Sequence, residues 1–465
     1  MPGKGLQFER LLIWKKFIPK NLKEVKAQAV RVDCPMPKSG FKNEKGVCYM
    51  KRILLIALLL VALTSLPVLA QTKTLNFLEV MTSPERTVLL KGMIAEYEAS
   101  HPGVKINLIS PPYEQADQKA TLMLNSNQPL DIIEVRDNTI KQFVNNKKLA
   151  NLNKYFSGWK EAKTLTPVAM MAARTVDNTL YIAPQCIFVK ALFVRKDVLE
   201  KNGITTVPET IDDLIKTCIK ITDPAKNQYG FAWRGKSSEM KFSDFFASAG
   251  INDIKKDTLL YSETKNYFTD PRYAQGMKAY IELFQKGAPK DGINWGFNEQ
   301  INGFVSGTTP FLMQDPDAIP LIDKMLDPDK YIVIPVPVGP TGIAYLDYGF
   351  TGLGIPSYSK NPKQAWDFIA WMNSAEKNGY FCEHYGALPV QSTAFNTNKY
   401  FQGKHYTAFL KEMTTTTKYI FRPFPQSSPK WPGWGSVHEA DMQSLLLGQA
   451  KLETVLAKWK EYWSK

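Results

Sequence analysis

An α/β fold built on a mostly parallel sheet with helices on both faces is predicted by three observations. From residue 73 onward, strand-length apolar segments alternate with helix-length apolar stripes, the pattern of sheets covered on both faces. Several helical segments open on a recognisable start signal, such as Ser83 followed by Pro84 and Glu85. Residues 71–465 number 395, enough to build two domains with substantial cores.

The elements follow in order. Residues 73–80 alternate through Leu75 and Phe77 and read as a strand. Ser83 is a helix N-cap, Pro84 sits at the first helical position and Glu85 supplies an acid to the first turn. Leu89, Met93 and Tyr97, with Leu90 and Ile94, form the buried stripe, and His101, Pro102 and Gly103 end the helix. Val104, Ile106 and Leu108 alternate as the next strand; 116–125 is helical and 131–135 a short buried strand. Strands are expected at 180–184 and 190–196, with helices from Asp197 and from near 207–210 to Ile221. Residues 271–286 form an amphipathic helix presenting Met277, Tyr280, Ile281 and Phe284. Residues 331–336 read as a strand. The strand at 349–355 carries Gly349, Gly352 and Gly354, marking either a hinge or a close approach to the backbone. Asn361 and Pro362 open a helix to Met372, and a C-terminal helix carries Leu445, Leu446, Leu452, Val455, Leu456 and Trp459.

The strongest targeting signal lies inside the chain. Lys51 and Arg52 precede an apolar run of 11 residues at 53–63, and Ala70 precedes Gln71. This is the layout of a secretory signal peptide, and the run is shorter than the ~20 residues of a membrane-spanning helix. The 49 residues before Met50 have two readings: a cytoplasmic leader that turns the run into a signal anchor, or a gene start placed too far upstream. Lys45, Gly46 and Val47 can be encoded as a ribosome-binding sequence ending about eight nucleotides before the Met50 codon, which favours the second. Cleavage after Ala70 leaves Gln71, not Cys, so no lipid attachment is expected there.

Charge follows the same division. The leader holds 11 Lys/Arg against 4 Asp/Glu; with Lys51 and Arg52 it accounts for nine of the net +14, leaving +5 beyond residue 70. A nucleic-acid partner, which wants a concentrated basic stripe, is not expected. Cys186, Cys218 and Cys382 are the cysteines past the signal, too few for a disulfide framework, and read as buried small hydrophobes, with a single disulfide the alternative.

Catalytic patterns are missing. His101, His384, His405 and His438 are isolated and no C-x-x-C occurs, so neither a metal site nor a cofactor is expected. No G-x-S-x-G elbow or Walker loop is present, and Gly352, Gly354 and Ser357 fail the dinucleotide fingerprint. Asp315 and Asp317, two apart, point to opposite faces if extended and would not flank one glycosidic bond.

Several segments together resemble family 1 extracellular solute-binding proteins, the maltose-binding-like receptors of ABC sugar importers. Residues 125–135 and 147–152 resemble the family's early "PDI" strand and "G-x-L-x-x-L" turn. Residues 181–184, 191–197 and Asn202–Gly203 are similar to its first crossover strand. Residues 230–236 through Gly250 resemble polyol and sugar binders, 298–313 resembles "F…G…AM", and 386–389 with 447–449 resemble its closing motifs.

The resemblance implies a two-lobed periplasmic binding protein of type II that closes on its ligand by hinge bending. The hinge strands fall near 183–189 and 349–353. It divides the chain into leader 1–49, signal 50–70, a first lobe of 71–183 plus 354–395 and a second of 184–353 plus 396–465. It implies a monomeric, soluble periplasmic receptor that binds a sugar, sugar alcohol or sugar derivative and delivers it to ABC permease subunits, without catalysis. The same fold binding a polyamine or ferric ion, or a secreted glycoside-active enzyme, are the alternatives.

Carried over position by position, the candidates for ligand binding are Glu79 and Ser83 at the end of the first strand and Arg136 and Asp137 in a polar cleft loop. Trp233 and Arg234 belong to the second lobe, as do Asp315 and Asp317. Tyr348 and Phe350 lie at the second crossover, and Trp431 and Trp434 in a Pro/Gly-rich segment where the family places a stacking aromatic. Lys190 stands where many members carry an acidic sugar ligand; with Arg136 and Arg234 it favours an acidic sugar, or else it points to solvent. Carboxylates and Arg suit sugar hydroxyls, and flat rings suit the apolar sugar face.

Overall fold

The structure, a computed structural model, describes residues 72–464 apart from 175, 237–238, 256–257 and 427. The leader and the apolar run at 53–63 lie outside the described residues. Strands are β1 Lys73–Leu78, β2 Val104–Ile109, β3 Ile132–Arg136, β4 Ile182–Phe188, β5 Ala191–Arg195, β6 Tyr261–Ser262 and β7 Lys265–Asn266. They continue as β8 Phe311–Gln314, β9 Tyr331–Ile334, β10 Ala344–Leu346, β11 Gly349–Gly354, β12 Leu388–Pro389 and β13 Tyr419–Phe421.

The larger sheet has the order β12-β4-β11-β3-β1-β2. β1 pairs parallel with β2 and β3, as the strand–helix alternation demands. β11 pairs antiparallel with both β3 and β4, and β12 antiparallel with β4. The sheet is thus a parallel three-stranded core extended by returning strands, more mixed than the alternation alone suggests. A second, antiparallel sheet has the order β8-β5-β9, and β10 pairs parallel with β13.

Local chemistry explains the first helix, Pro84–Ser100. Ser83 has extended backbone and its hydroxyl accepts the Arg86 amide, while Leu90, Met93, Ile94 and Tyr97 are buried. Thr210 and Asp270 cap Ile211–Ile221 and Pro271–Gly287 in the same way. The glycines of β11 serve close approach. A Cβ on Gly352 would lie 2.7 Å from Ile182 Cδ1 and 2.8 Å from the Ala183 carbonyl, where the β11–β4 register shifts.

The C-terminal apolar pattern belongs to two helices. Trp431–Leu446 and Leu452–Ser464 are separated at Gly448, whose φ of +70° favours glycine. The Pro/Gly-rich segment of Trp431 and Trp434 opens the former helix, because Pro432 is tolerated in its first turn.

All three described cysteines are buried and unbridged; Cys186 and Cys382 touch with sulfurs 4.0 Å apart. Among the described residues, no helix is long and apolar enough to cross a membrane.

The candidate cleft between the two sheets

The chain crosses from the larger sheet to the smaller one immediately after β4 and returns through Asp347 and Tyr348 just before β11. Beside these crossovers lies a cavity of about 510 Å³. Met81, Tyr113, Arg136 and Asp137 reach it from the end of the parallel core, and Phe188, Phe350 and Thr351 form its floor at the crossover strands. Tyr385 and Gly386 close one side; Lys241, Phe297, Asp315 and Asp317 come from the region around the smaller sheet.

Two carboxylates and one cation face the cavity from that second side, and one of each from the first. Arg136 donates to Tyr113 Oη at 3.2 Å and pairs with Asp117 at 3.1 Å. Burial by itself would lower its pKa, but Asp117 and Tyr113 outweigh this and hold it raised. Asp137 is pushed up by burial, while Gln426, which donates to its Oδ2 at 3.1 Å, and Lys241 pull the other way. Asp317 is pushed up to about 7, first by its shielding from bulk water and second by neighbouring Asp315, with Arg234 opposing. Its side chain remains open to the cavity, so water in an open cleft would relax part of that shift.

Sequence reasoning missed Tyr113, Phe188, Phe297, Thr351 and Tyr385 among the cavity residues, and also Lys241. It stands on the helix Glu239–Ser248 among Phe242, Phe245 and Phe246. A basic residue within an aromatic helical run was the available signal. Its amine is 3.5 Å from Asp347. Burial would lower its pKa, yet Asp347, Asp315 and Asp137 raise it, so it carries charge between the crossover and the cavity carboxylates. Thr351 Oγ1 is buried and finds no hydrogen-bond partner among the described residues, leaving a polar atom at the cavity floor for a bound group.

Of the expected residues, Arg136, Asp137, Asp315, Asp317 and Phe350 meet in this cavity. Arg234 stands just behind it, its guanidinium 5.5 Å from the Phe297 ring centre and electrostatically tied to Asp315 and Asp317. Tyr348 stacks on Phe350 at 6.0 Å and backs the floor. Trp431 lines an adjoining cavity.

The others are placed elsewhere. Glu79 is fully buried, accepting from Arg86 at 2.7 Å and from Thr87 and Ser110; a buried carboxylate needs such partners. Ser83 spends its hydroxyl on the helix cap. Trp233 is 0 % exposed against Tyr280 and Phe284, and Trp434 is 0 % exposed among Tyr261, Trp459 and Trp463. Both are core, since large indoles bury more apolar area there than at an open face.

Lys190 neither faces the cavity as an anion receptor nor points to solvent. It is 4 % exposed and donates to both oxygens of Asp347, at 2.9 and 3.2 Å. That pair joins the two crossover segments, and it removes the basis for expecting an acidic sugar from Lys190.

Two lobes joined by paired crossovers beside a polar, aromatic-walled cavity define the class of hinged solute receptors. The chain belongs to the bacterial extracellular solute-binding protein family, whose model matches residues 83–379. It is 25% identical over 367 residues to a protein of Brucella abortus (strain 2308) named only as a binding protein, covering 77% of this chain and 85% of that one. It is 24% identical over 335 residues to an Escherichia coli K12 protein named as the ABC transporter periplasmic-binding protein YcjN, covering 70% and 74%.

Among solved structures, the sugar-binding protein MalE of Xanthomonas citri superposes with a TM-score of 0.72 at 18% identity, covering 84% of this chain and 96% of that one. A solute-binding protein of Agrobacterium vitis S4 with bound D-mannitol gives 0.63 at 22% identity, covering 83% and 96%. These place the fold as the two-lobed MalE type.

Proposed function

We propose that the protein is an exported receptor that binds a sugar, sugar alcohol or sugar derivative in the cleft and delivers it to the permease subunits of an ABC importer, without chemistry of its own. The observation that carries this reading is the cavity at the crossovers, where Arg136, Asp137, Lys241, Asp315 and Asp317 are interleaved with Phe188, Phe350 and Tyr385. Mixed charges supply donors and acceptors to hydroxyls, and rings cover an apolar sugar face. The family membership and the named sugar and mannitol receptors of the same fold agree with it.

In this reading the signal is cleaved after Ala70 and the soluble, non-lipidated product works as a monomer in the periplasm, with no nucleic-acid partner. The first lobe is 71–183 plus 354–395 and the second 184–353 plus 396–465. Because β4 and β11 pair wholly within the larger sheet, we move the internal boundaries to follow Phe188 and to precede Gly349.

The test is a thermal-shift and Trp-fluorescence screen of residues 71–465 against sugars, polyols and sugar acids. A true ligand at 100 times its Kd stabilises by about 2.7 kcal/mol. If no saccharide, polyol or sugar acid moves either signal, the solute class is wrong.

A second reading, hydrolysis of a glycoside, draws on Asp317 with its raised pKa beside Asp315. Release of reducing sugar that Asp315→Asn abolishes would favour it over pure binding.

A further inference from the structure

The buried cysteines are not alike. Cys218 lies in the helix Ile211–Ile221 against Gly230 and Gly287, and its sulfur meets no other among the described residues. Cys186 and Cys382, 196 residues apart in sequence, bring their sulfurs to 4.0 Å. Both are 0 % exposed.

The surrounding scaffold sets this contact, not the sulfurs themselves. Cys186 belongs to β4 and stands opposite Pro389 of β12. Cys382 belongs to the helix Ala375–Tyr385, which is fastened to β4 one turn earlier. There Asn378 Nδ2 donates to the Gln185 carbonyl at 2.7 Å, and Asn378 Oδ1 accepts the Val390 amide at 2.8 Å. Cys382 Sγ lies 3.6 Å from the same Gln185 carbonyl. Bonded sulfurs stand about 2.0 Å apart, so rotation of the two side chains has only about 2 Å to close.

We infer that Cys186 and Cys382 are a disulfide-forming pair, joined as the exported chain folds in an oxidising compartment. This rests on the export proposed above and not on the identity of the solute. The oxidant is a reactive disulfide of that compartment. One cysteine, as thiolate, attacks it to give a mixed disulfide and releases one thiolate of the oxidant. The other cysteine then attacks the mixed disulfide, forming the Cys186–Cys382 bond and releasing the second. Two thiols are oxidised, one disulfide is reduced, and the two protons pass to the departing sulfurs. In the folded protein burial pushes the Cys382 thiol well above its ordinary value, Cys186 adds to this and Arg86 opposes it. Such a thiol is inert to exchange, so the bond forms before the helix covers β4. The loop it closes contains β5, β8 and β9, the whole smaller sheet. The bond also lies one helical turn before Tyr385, a cavity wall.

The test expresses the chain from Met50 in a Gram-negative host and purifies it from the periplasmic fraction. Thiols are blocked with N-ethylmaleimide in urea, and the mass is read with and without prior reduction. The expected result is one labelled thiol, Cys218, without reduction and three with it. A digest should give the peptides of Cys186 and Cys382 crosslinked, and Cys218→Ala should leave no thiol to label without reduction.

Three labelled thiols in the unreduced periplasmic product, or a bridge that includes Cys218, overturn the inference and leave the receptor reading standing. If the chain is not exported, the export reading falls instead. The pair is then decided by unfolding the reduced full chain and refolding it in oxidised and reduced glutathione: the same crosslink upholds it, and its absence overturns it.

Discussion

Two charge clusters, one within the larger sheet's lobe and one at the crossovers, are built with opposite stoichiometry. In the first a single cation, Arg86, lies between two carboxylates. It donates to Glu79 at 2.7 Å and to Glu134, and its guanidinium sits 5.0 Å from the Tyr385 ring centre. Glu134 also accepts the amides of Val80 and Met81. At the crossovers a single anion, Asp347, lies between two lysines, Lys190 and Lys241.

The first cluster is sealed, with every member at 1 % exposure or less. The second is open at one end, because the Lys241 side chain keeps 37% of its surface exposed. A sealed cluster fixes geometry: it holds Met81 and Tyr385, two cavity walls, in place. An open one can respond, because an occupant that changes the surroundings of Lys241 changes the field on the hinge carboxylate.

The largest effect should come from Arg86→Met. It leaves two buried carboxylates facing each other, and unfolding should become easier by about 3–5 kcal/mol. A shift of the urea midpoint smaller than about 1 kcal/mol equivalent would mean that the triad is not the anchor of its lobe.

Lys190→Met should cost less, at or below about 3 kcal/mol, since Lys241 stays on Asp347. Chemical denaturation of both variants under one buffer ranks them directly; equal losses would erase the contrast between the clusters.

The pH response should also separate the groups on the Lys241 helix. Asp244 is buried and pushed up to about 7 by its burial, against the pull of His438. Its folded pKa lies above its unfolded one. The folded state therefore holds the proton more tightly, and stability falls as pH rises from about 4 to 7. The slope this group adds is roughly 1.4 kcal/mol per pH unit. Asp244→Asn should flatten the measured stability curve over that window; an unchanged slope assigns the dependence elsewhere. Asp347 acts in the opposite sense. Burial pushes its carboxyl up, but Lys190 and Lys241 outweigh this and hold it below its usual range. Its contribution is present above about pH 4 and is lost as pH falls through its depressed pKa.

The smallest stability change should be that of Lys241→Met, within about 1 kcal/mol for a partly exposed pair. Solute affinity should nevertheless drop about ten- to a hundredfold, the range of one charged hydrogen bond. Unchanged affinity would place Lys241 outside the binding machinery.

Much of this frame was legible in the residues. Ser83, Pro84 and Glu85 announced the first helix, and of the two readings of the glycines of 349–355, a hinge or a close approach, the second is seen at Gly352. The strand itself was legible, but its antiparallel place between β3 and β4 was not, because pairing across distant segments leaves no local period.

The site divided in the same way. Residues ending strands, such as Arg136 and Asp315, can be placed by position along the chain. Trp233, Trp434 and Glu79 could not, because an indole or a carboxylate reads the same in sequence whether it faces a cleft or a buried partner. Lys190 was misread for want of Asp347, far along the chain, which alone decides its direction.

The position of β11 has a further consequence, for the order in which the molecule assembles. β11 lies between β3 and β4, with Thr351 opposite both Arg136 and Cys186. The centre of the larger sheet cannot close until the chain has been made to residue 354, and its edge strand β12 not until 389, after all three strands of the smaller sheet. Such non-local pairing makes folding slow. A chain ending before Gly349 would leave β3 and β4 with unpaired edges, a template for aggregation. Completion of the first lobe is thus tied to synthesis of most of the second.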